Sequence, residues 1–350
     1  MKGKIRLPKL SGWQWFNTIS LLLIAGALWG VVVGNQGLNA LLARWGSLNP
    51  RWMVAAILCM VGYWILEGCG LHWLVGCLYQ GAPFHANMRT AMIGQLYSAL
   101  TPFSSGGQPV QLMYMRRDGL DTGGGVSVLL IKSILYQTSM MLMALLPVIS
   151  YGFFRGRVPA FGWLAALGFG TNLAVTAGML LLALSPNAAR KLYAFVLRVL
   201  HFFRVVRDVD ASMAKAQNQF DIYRESTLRY ERKWGALCGV VALTIIQLLM
   251  LYLVPYAIYR AFGYNESVLI HIVAAVAFVS MVSAFVPLPG GSGGAEGTFL
   301  LFFALFFRQT DLLMAMLLWR LVTYYFSMIT GALVMLVSRK RQRAVVRRPL

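Results

Sequence analysis

Six stretches of this chain are apolar almost without interruption: near Trp15–Val33, Trp52–Tyr79, Val126–Tyr151, Phe161–Leu184, Trp234–Tyr259 and Leu312–Val337. At about 1.5 Å of rise per residue, each is long enough to cross a hydrocarbon core of about 30 Å. The pattern therefore predicts six transmembrane helices. The first follows a basic start, but its apolar core outruns a signal peptide's and no small-residue cleavage site ends it, so it is read as a helix. Two further apolar stretches, around His85–Leu100 and Ser267–Phe307, are broken by Gly and Pro. Within the second, FVPLPGGSGGAEGTFLLFF (Phe285 to Phe303) sets five glycines, two prolines and one carboxylate inside a greasy run. Irregular backbone survives at membrane depth only inside protein or beside a water-filled cavity.

The breaks are paired. Shifting the chain on itself by about 185 residues lays Trp52–Tyr79 on Trp234–Tyr259 and Val126–Tyr151 on Leu312–Val337. Between them, TPFSSGGQPVQ (Thr101 to Gln111) falls on VPLPGGSGGAE (Val286 to Glu296). Interrupted segments in corresponding halves point to a transporter's binding site. Kinked ordinary helices are the plainer alternative.

Composition agrees with a membrane protein: 59% of residues are hydrophobic, 12% are charged and the mean hydropathy is +0.66. The net charge of +20 does not signal nucleic acid, because the Lys and Arg sit in short segments between spans. Residues 1–14 carry four, 80–124 three, 185–233 ten and the tail after Val337 six, against six on the other side (Arg44, Arg51, Arg155, Arg157, Arg260, Arg308). By the positive-inside rule the N-terminus, the central loop and the tail are cytoplasmic. The two copies are then inverted. One hairpin (His85–Arg117) dips in from the cytoplasm and the other (Glu266–Arg308) from outside.

The reading is thus an all-α polytopic membrane protein with an inverted-topology repeat. It has about six full spans plus two re-entrant hairpins, or up to eight crossings if Ser267–Val286 spans alone. A single membrane domain covers 1–350. Repeat one occupies about 52–151, a central helix and basic linker 161–233, repeat two 234–337, and a basic tail 338–350.

GGSGGAEG lacks the lysine of a phosphate loop and follows no predicted strand, so a nucleotide site is not expected. A glycine-rich turn at a helix N-terminus still presents free N–H groups and a positive dipole end. Gly291, Gly293 and Gly294 could hold a lipid phosphate in that way, or could serve only tight hairpin packing. Glu67, Lys132, Glu296 and Arg320 are ionisable residues inside spans, where charge is costly unless paired or hydrated. Lys132 and Arg320 lie at comparable depths from opposite faces. Ion pairs or a cavity lined by both signs are expected, with plain helix-to-helix salt bridges as the alternative. Arg89, Gln108 and Arg116 complete the candidate headgroup lining. His72 and His271 read as core residues, and Cys59, Cys69, Cys77 and Cys238 as small buried hydrophobes. RKLYAFVLRVLHFFRVVRD, in the central linker, mixes basic and large apolar side chains as an interfacial helix on an anionic leaflet would. No nucleophile–base–acid set or metal cluster is visible, so neither enzyme chemistry nor a cofactor is expected.

TPFSSGGQPVQLMYMRRDGL and PLPGGSGGAEG resemble the two signature segments of the lysylphosphatidylglycerol synthase transmembrane region, also called the flippase-like domain family. The family includes the membrane half of bacterial multiple peptide resistance factors, which confer resistance to cationic peptides. The resemblance implies a flippase that moves lysyl-phosphatidylglycerol, or a related aminoacyl-phosphatidylglycerol, from the inner to the outer leaflet of the bacterial cytoplasmic membrane. A polyprenyl-phosphate carrier flippase and a non-transporting lipid-binding scaffold are the alternatives. The aminoacyl-transferase domain of full-length relatives is not expected here, so the name phosphatidylglycerol lysyltransferase would describe them. Gln108 stands where the family commonly has an acidic residue. The expected partners are phosphatidylglycerol-type lipids and the anionic membrane surface. A second copy of this chain and a separate synthase are also admitted, and nucleic acid is not.

Overall fold

A computed structural model describes residues 46–158, 161–202, 208–283 and 288–338. The expected span Trp15–Val33 and the tail beyond Ser338 lie outside the described residues. In chain order the helices are α1 (Pro50–Leu78), α2 (Phe84–Leu100), α3 (Gly107–Arg117), α4 (Thr122–Met143), α5 (Leu145–Ile149), α6 (Tyr151–Phe154) and α7 (Phe161–Leu184). They continue as α8 (Pro186–Phe202), α9 (Val209–Glu231), α10 (Trp234–Ala261), α11 (Leu269–Ser283), α12 (Gly294–Phe303), α13 (Gln309–Arg320) and α14 (Phe326–Ser338). No strand occurs among the described residues.

Five of these helical segments are long and apolar enough to cross a membrane: Pro50–Leu78, Thr122–Ile149, Phe161–Leu184, Trp234–Ala261 and Gln309–Ser338. The chain is an all-α polytopic membrane protein. Local chemistry sets the ends. Asn49 caps α1 by accepting from the Arg51 N–H at 3.1 Å, and Pro50 takes a first-turn position where its missing N–H costs nothing. The last long span is continuous only through a π-helical turn, Leu321–Tyr325.

The order long helix, short helix, one-turn 3₁₀ segment, short helix, long helix occurs twice, in α1–α4 and again in α10–α14. The two leading helices run antiparallel. The Asn49 N–H donates to the Ala261 carbonyl at 2.9 Å, while at the opposite end Lys233 Nζ donates to the Cys77 carbonyl at 2.8 Å. Between those ends Gly62 faces Met250, Gly70 faces Leu243 and Trp73 rests on Gly239. Small residues let two helix backbones approach where lipid offers no hydrophobic drive for association. The second copy is therefore inverted relative to the first.

The helical limbs of the broken segments are 17 and 11 residues in the first copy and 15 and 10 in the second. As described, three of the four are shorter than the about 17 residues that a crossing needs at the least, and the first is at that bound. Each pair folds back on itself instead. In the first, a Cβ on Gly107 would lie 2.7 Å from the Gly94 carbonyl oxygen. In the second, Phe278 stacks against Phe302 with centroids 4.6 Å apart. The 3₁₀ turns at the two tips, Pro102–Ser104 and Pro289–Gly291, touch each other. Tyr324 sits at that junction, donating its hydroxyl to the Ala99 carbonyl at 3.0 Å with its ring against Gly290. Helix α9 packs on α4 at the end where α10 begins, its Gln219 accepting from the Gly123 N–H at 2.9 Å.

Candidate functional site

The second tip is shaped by glycines that no other residue could replace cheaply. Gly290, Gly291 and Gly293 have φ of +62°, +64° and +81°, in the left-handed region. A Cβ on Gly290 would also come within 2.1 Å of the Tyr324 ring. Gly294 opens α12. The Gly293 N–H donates to one oxygen of Glu296 at 2.6 Å, and the other oxygen lies 2.8 Å from Arg320 Nε. Arg320 Nη1 donates to the Gly290 carbonyl at 3.3 Å. The guanidinium lies 5.0 Å from the Trp319 ring centroid and 5.3 Å from that of Tyr324. Arg320 is 6% exposed, and its Nη2 has no hydrogen-bond partner. The π-helical turn begins at the next residue. Arg320 and Tyr324, four positions apart, share one face of the helix and both meet the glycine tip.

A second ion pair joins both copies at mid-span. Lys132, on α4, pairs with the Glu67 carboxylate on α1. The other Glu67 oxygen accepts from Gln247 of α10 at 2.8 Å, and both partners are buried. One turn before Glu67, the Tyr63 hydroxyl accepts from Gln95 of α2 at 3.2 Å.

The remaining candidates lie elsewhere. Arg89 sits at the base of the first hairpin, where its Nη2 meets Asp118 Oδ2 at 2.6 Å and its guanidinium lies 5.6 Å from the Tyr114 ring centroid. Arg117 faces that ring at 5.3 Å, and both Arg116 and Arg117 are exposed. Gln108 is exposed near the first tip and donates to Ser133 Oγ at 2.7 Å. The ten candidates thus fall into a glycine-tip cluster, a mid-span pair and the base and flank of the first hairpin. Gln247, Gln95, Tyr324 and Asp118 were not among them. Gln247 carried a legible signal, an amide alone in the middle of a 28-residue apolar helix. The others gave none, because their partners lie on separate helices. His72 is hydrogen-bonded to Asn87 at 3.0 Å, and His271 stacks on Phe153 with centroids 3.9 Å apart.

Residues 17–331 match the family described as the lysylphosphatidylglycerol synthase TM region. The chain belongs to this family. The matched region contains both hairpins and both mid-span ion pairs. The chain is also 26% identical over 294 residues to a UPF0104 membrane protein of Archaeoglobus fulgidus, covering 81% of this chain and 86% of that protein. Family membership makes this a multi-pass, lipid-related membrane protein.

Proposed function

We propose that the protein is a lipid flippase and not an enzyme. It carries the headgroup of lysyl-phosphatidylglycerol, or of a related aminoacyl-phosphatidylglycerol, from the inner to the outer leaflet while the acyl chains stay in the bilayer. One observation carries this reading: a guanidinium buried at mid-span beside a glycine-built break, with a donor nitrogen unfilled. Buried charge with unused donors is costly, and a phosphate oxygen fills such a donor with a charge-assisted hydrogen bond. Glu296 and Glu67 would receive the positive amine of an aminoacyl headgroup.

Two inverted copies suit transport, because equivalent motions of each open the centre to opposite faces. Among the described residues an apolar groove of about 580 Å³ runs past Met53, Ile57, Val322, Phe326 and Ile329 to Tyr325. Tyr325 lies within electrostatic reach of Arg320 and Glu296, so the groove offers acyl chains a path beside the charged tip. The end carrying α8 and α9 is the cytoplasmic one by its excess of cations. On that reading the first hairpin opens to the cytoplasmic face, and the basic termini are cytoplasmic by the same rule. Helix α8 exposes Leu192, Phe195 and Val199 alongside Lys191 and Arg198, which suits an anionic leaflet surface.

A phosphate oxygen on Arg320 would not by itself select glycerol, so a polyprenyl-phosphate carrier is the second reading. The test is a vesicle assay scoring arrival of fluorescent lysyl-phosphatidylglycerol, phosphatidylglycerol and a polyprenyl phosphate at the far leaflet. The lysylated lipid should move fastest, and Arg320→Ala and Lys132→Ala should each slow it by about tenfold or more, the worth of one charge-assisted contact. Movement of the polyprenyl lipid alone would transfer the assignment to the second reading. Folded protein that moves none of the three would be a scaffold.

A further inference from the structure

We propose that the turn at residues 151–158, together with Phe161 and Gly162 at the start of α7, forms an interfacial phosphate-binding site at the end of the bundle opposite α8 and α9. Helix α6 ends at Phe154, and Gly156 then takes a φ of +78°. This left-handed step turns the chain tightly and sets Arg155 and Arg157 around one concavity. The concavity has a volume of about 370 Å³, and its lining includes Tyr151, both arginines, Val158 and Phe161.

Each guanidinium is seated on a ring and matched by no opposite charge. Arg155 lies 5.9 Å from the Tyr151 centroid and Arg157 4.5 Å from that of Phe153. Among the described residues no carboxylate is within ion-pairing distance of either. Asp311, an acid at this end, is buried and accepts the Tyr264 hydroxyl at 2.6 Å. Cation–π seating at an exposed site is worth only about 0.5–1 kcal/mol and leaves the edges of both guanidiniums open. Two such forks flanking one hollow suit the oxygens of a phosphate better than a single carboxylate.

The surroundings point to a phosphate with apolar chains attached. Ile149 and Trp163 are 76% and 82% exposed beside the turn. A headgroup held by the arginines could run its chains down that surface. The turn is also fixed to the second hairpin, because Phe153 stacks on His271 at 3.9 Å and on Phe306 at 5.8 Å. The shared ligand chemistry is a phosphate ester, carried by a lipid or free in solution, and the site stands independently of the Arg320 reading.

The full chain in phosphatidylcholine nanodiscs would be exposed to a photoactivatable phosphatidylglycerol, and the crosslinked peptides mapped. Crosslinks should concentrate in residues 151–163, and Arg155→Gln/Arg157→Gln should lower them about tenfold, in line with the loss of charge-assisted contacts. Arg155→Lys/Arg157→Lys should keep an intermediate yield. Both side chains are exposed, so the thermal midpoint should not move. Displacement of the probe by glycerol phosphate or inorganic phosphate would assign a free phosphate ester. Displacement only by unlabelled phosphatidylglycerol would assign the lipid. Equal crosslinking in the wild type and the glutamine variant would overturn the proposal, as would equal labelling by a photoactivatable phosphatidylcholine.

Discussion

The two hairpins share one architecture and place their charges at opposite ends. The first is tied at its base, where Arg89 and Asp118 join its two limbs at the rim of the bundle. Its tip turns through Phe103 and Ser104, both at φ +53° without being glycine. Thr101 supports that turn, donating to the Tyr97 carbonyl at 2.7 Å and accepting from the Gly106 N–H at 2.8 Å. The second hairpin reverses the arrangement. Aromatic stacking around Phe153, His271 and Phe306 holds its base, while its only ion pair among the described residues, Glu296 with Arg320, sits at the tip. The two pairs are about equally buried, the side chains of Arg89 and Asp118 14% and 10% exposed and those of Arg320 and Glu296 7% and 17%, so each is costly to break. The difference is therefore one of place: the second hairpin holds its charge at the tip, where the two copies touch, and the first at its base.

The largest expected effect tests that distinction directly. Replacing Glu296 with Leu strands a buried guanidinium and should destabilise the folded protein by about 3 kcal/mol, read as a lowered denaturant midpoint in detergent. Glu296→Gln keeps an oxygen for the Gly293 N–H and should cost less, while still impairing lipid movement. Full transport by the Gln variant would reduce Glu296 to a structural strut and erase the contrast between the hairpins.

An intermediate effect is expected at the first base. Arg89→Ala leaves Asp118 without its cation in a partly buried setting and should cost about 1–2 kcal/mol. Hydrogen exchange should quicken around residues 114–120 while the second hairpin keeps its protection. Loss of protection at both hairpins would show that the rim pair braces the whole bundle.

The smallest effect has the opposite sign. Phe103 is 59% exposed, so Phe103→Gly removes little packing and relieves a left-handed residue worth about 1 kcal/mol. A net gain of up to about 0.5 kcal/mol remains after the added chain entropy of glycine, visible as a slightly raised thermal midpoint. Gly290→Ala, at the matching turn, should lower it. Equal responses from the two tips would mean that their backbones are interchangeable.

Most of the architecture is legible in the chain because it follows from local quantities. Runs of apolar residues locate the five described spans to within four residues at either end, since each helix meets lipid on its own. Gly and Pro mark both tips, and the spacing shows the repeat, although the true offset drifts. It is 184 residues from Pro50 to Trp234 and 187 from Gly107 to Gly294, because the connections between corresponding helices differ in length. The limb read as Ser267–Val286 is helical over Leu269–Ser283, and residues 284–287 lie outside the described ones.

Side-chain partnership was much less legible. Sequence placed Lys132 and Arg320 inside spans and led to an expectation of ion pairs, but fixed neither Glu67 as the partner of Lys132 nor the Gly290 carbonyl that Arg320 meets. Arg116 and Arg117 are neighbours in the motif and both exposed, and the sequence does not say that Arg117 would be the one to face the Tyr114 ring. Gln247 reaches Glu67 across 180 positions, and Tyr324 reaches Ala99 across 225. By itself the sequence determined the helices, their breaks and the inverted order, because hydropathy, glycine and charge act through neighbouring residues and the membrane. Only the tertiary structure decided the antiparallel seating of α1 on α10, the meeting of the two tips and the unfilled donor of Arg320. Those depend on helix rotation and crossing, and a shift of one residue turns a helical side chain by about 100° away from its partner.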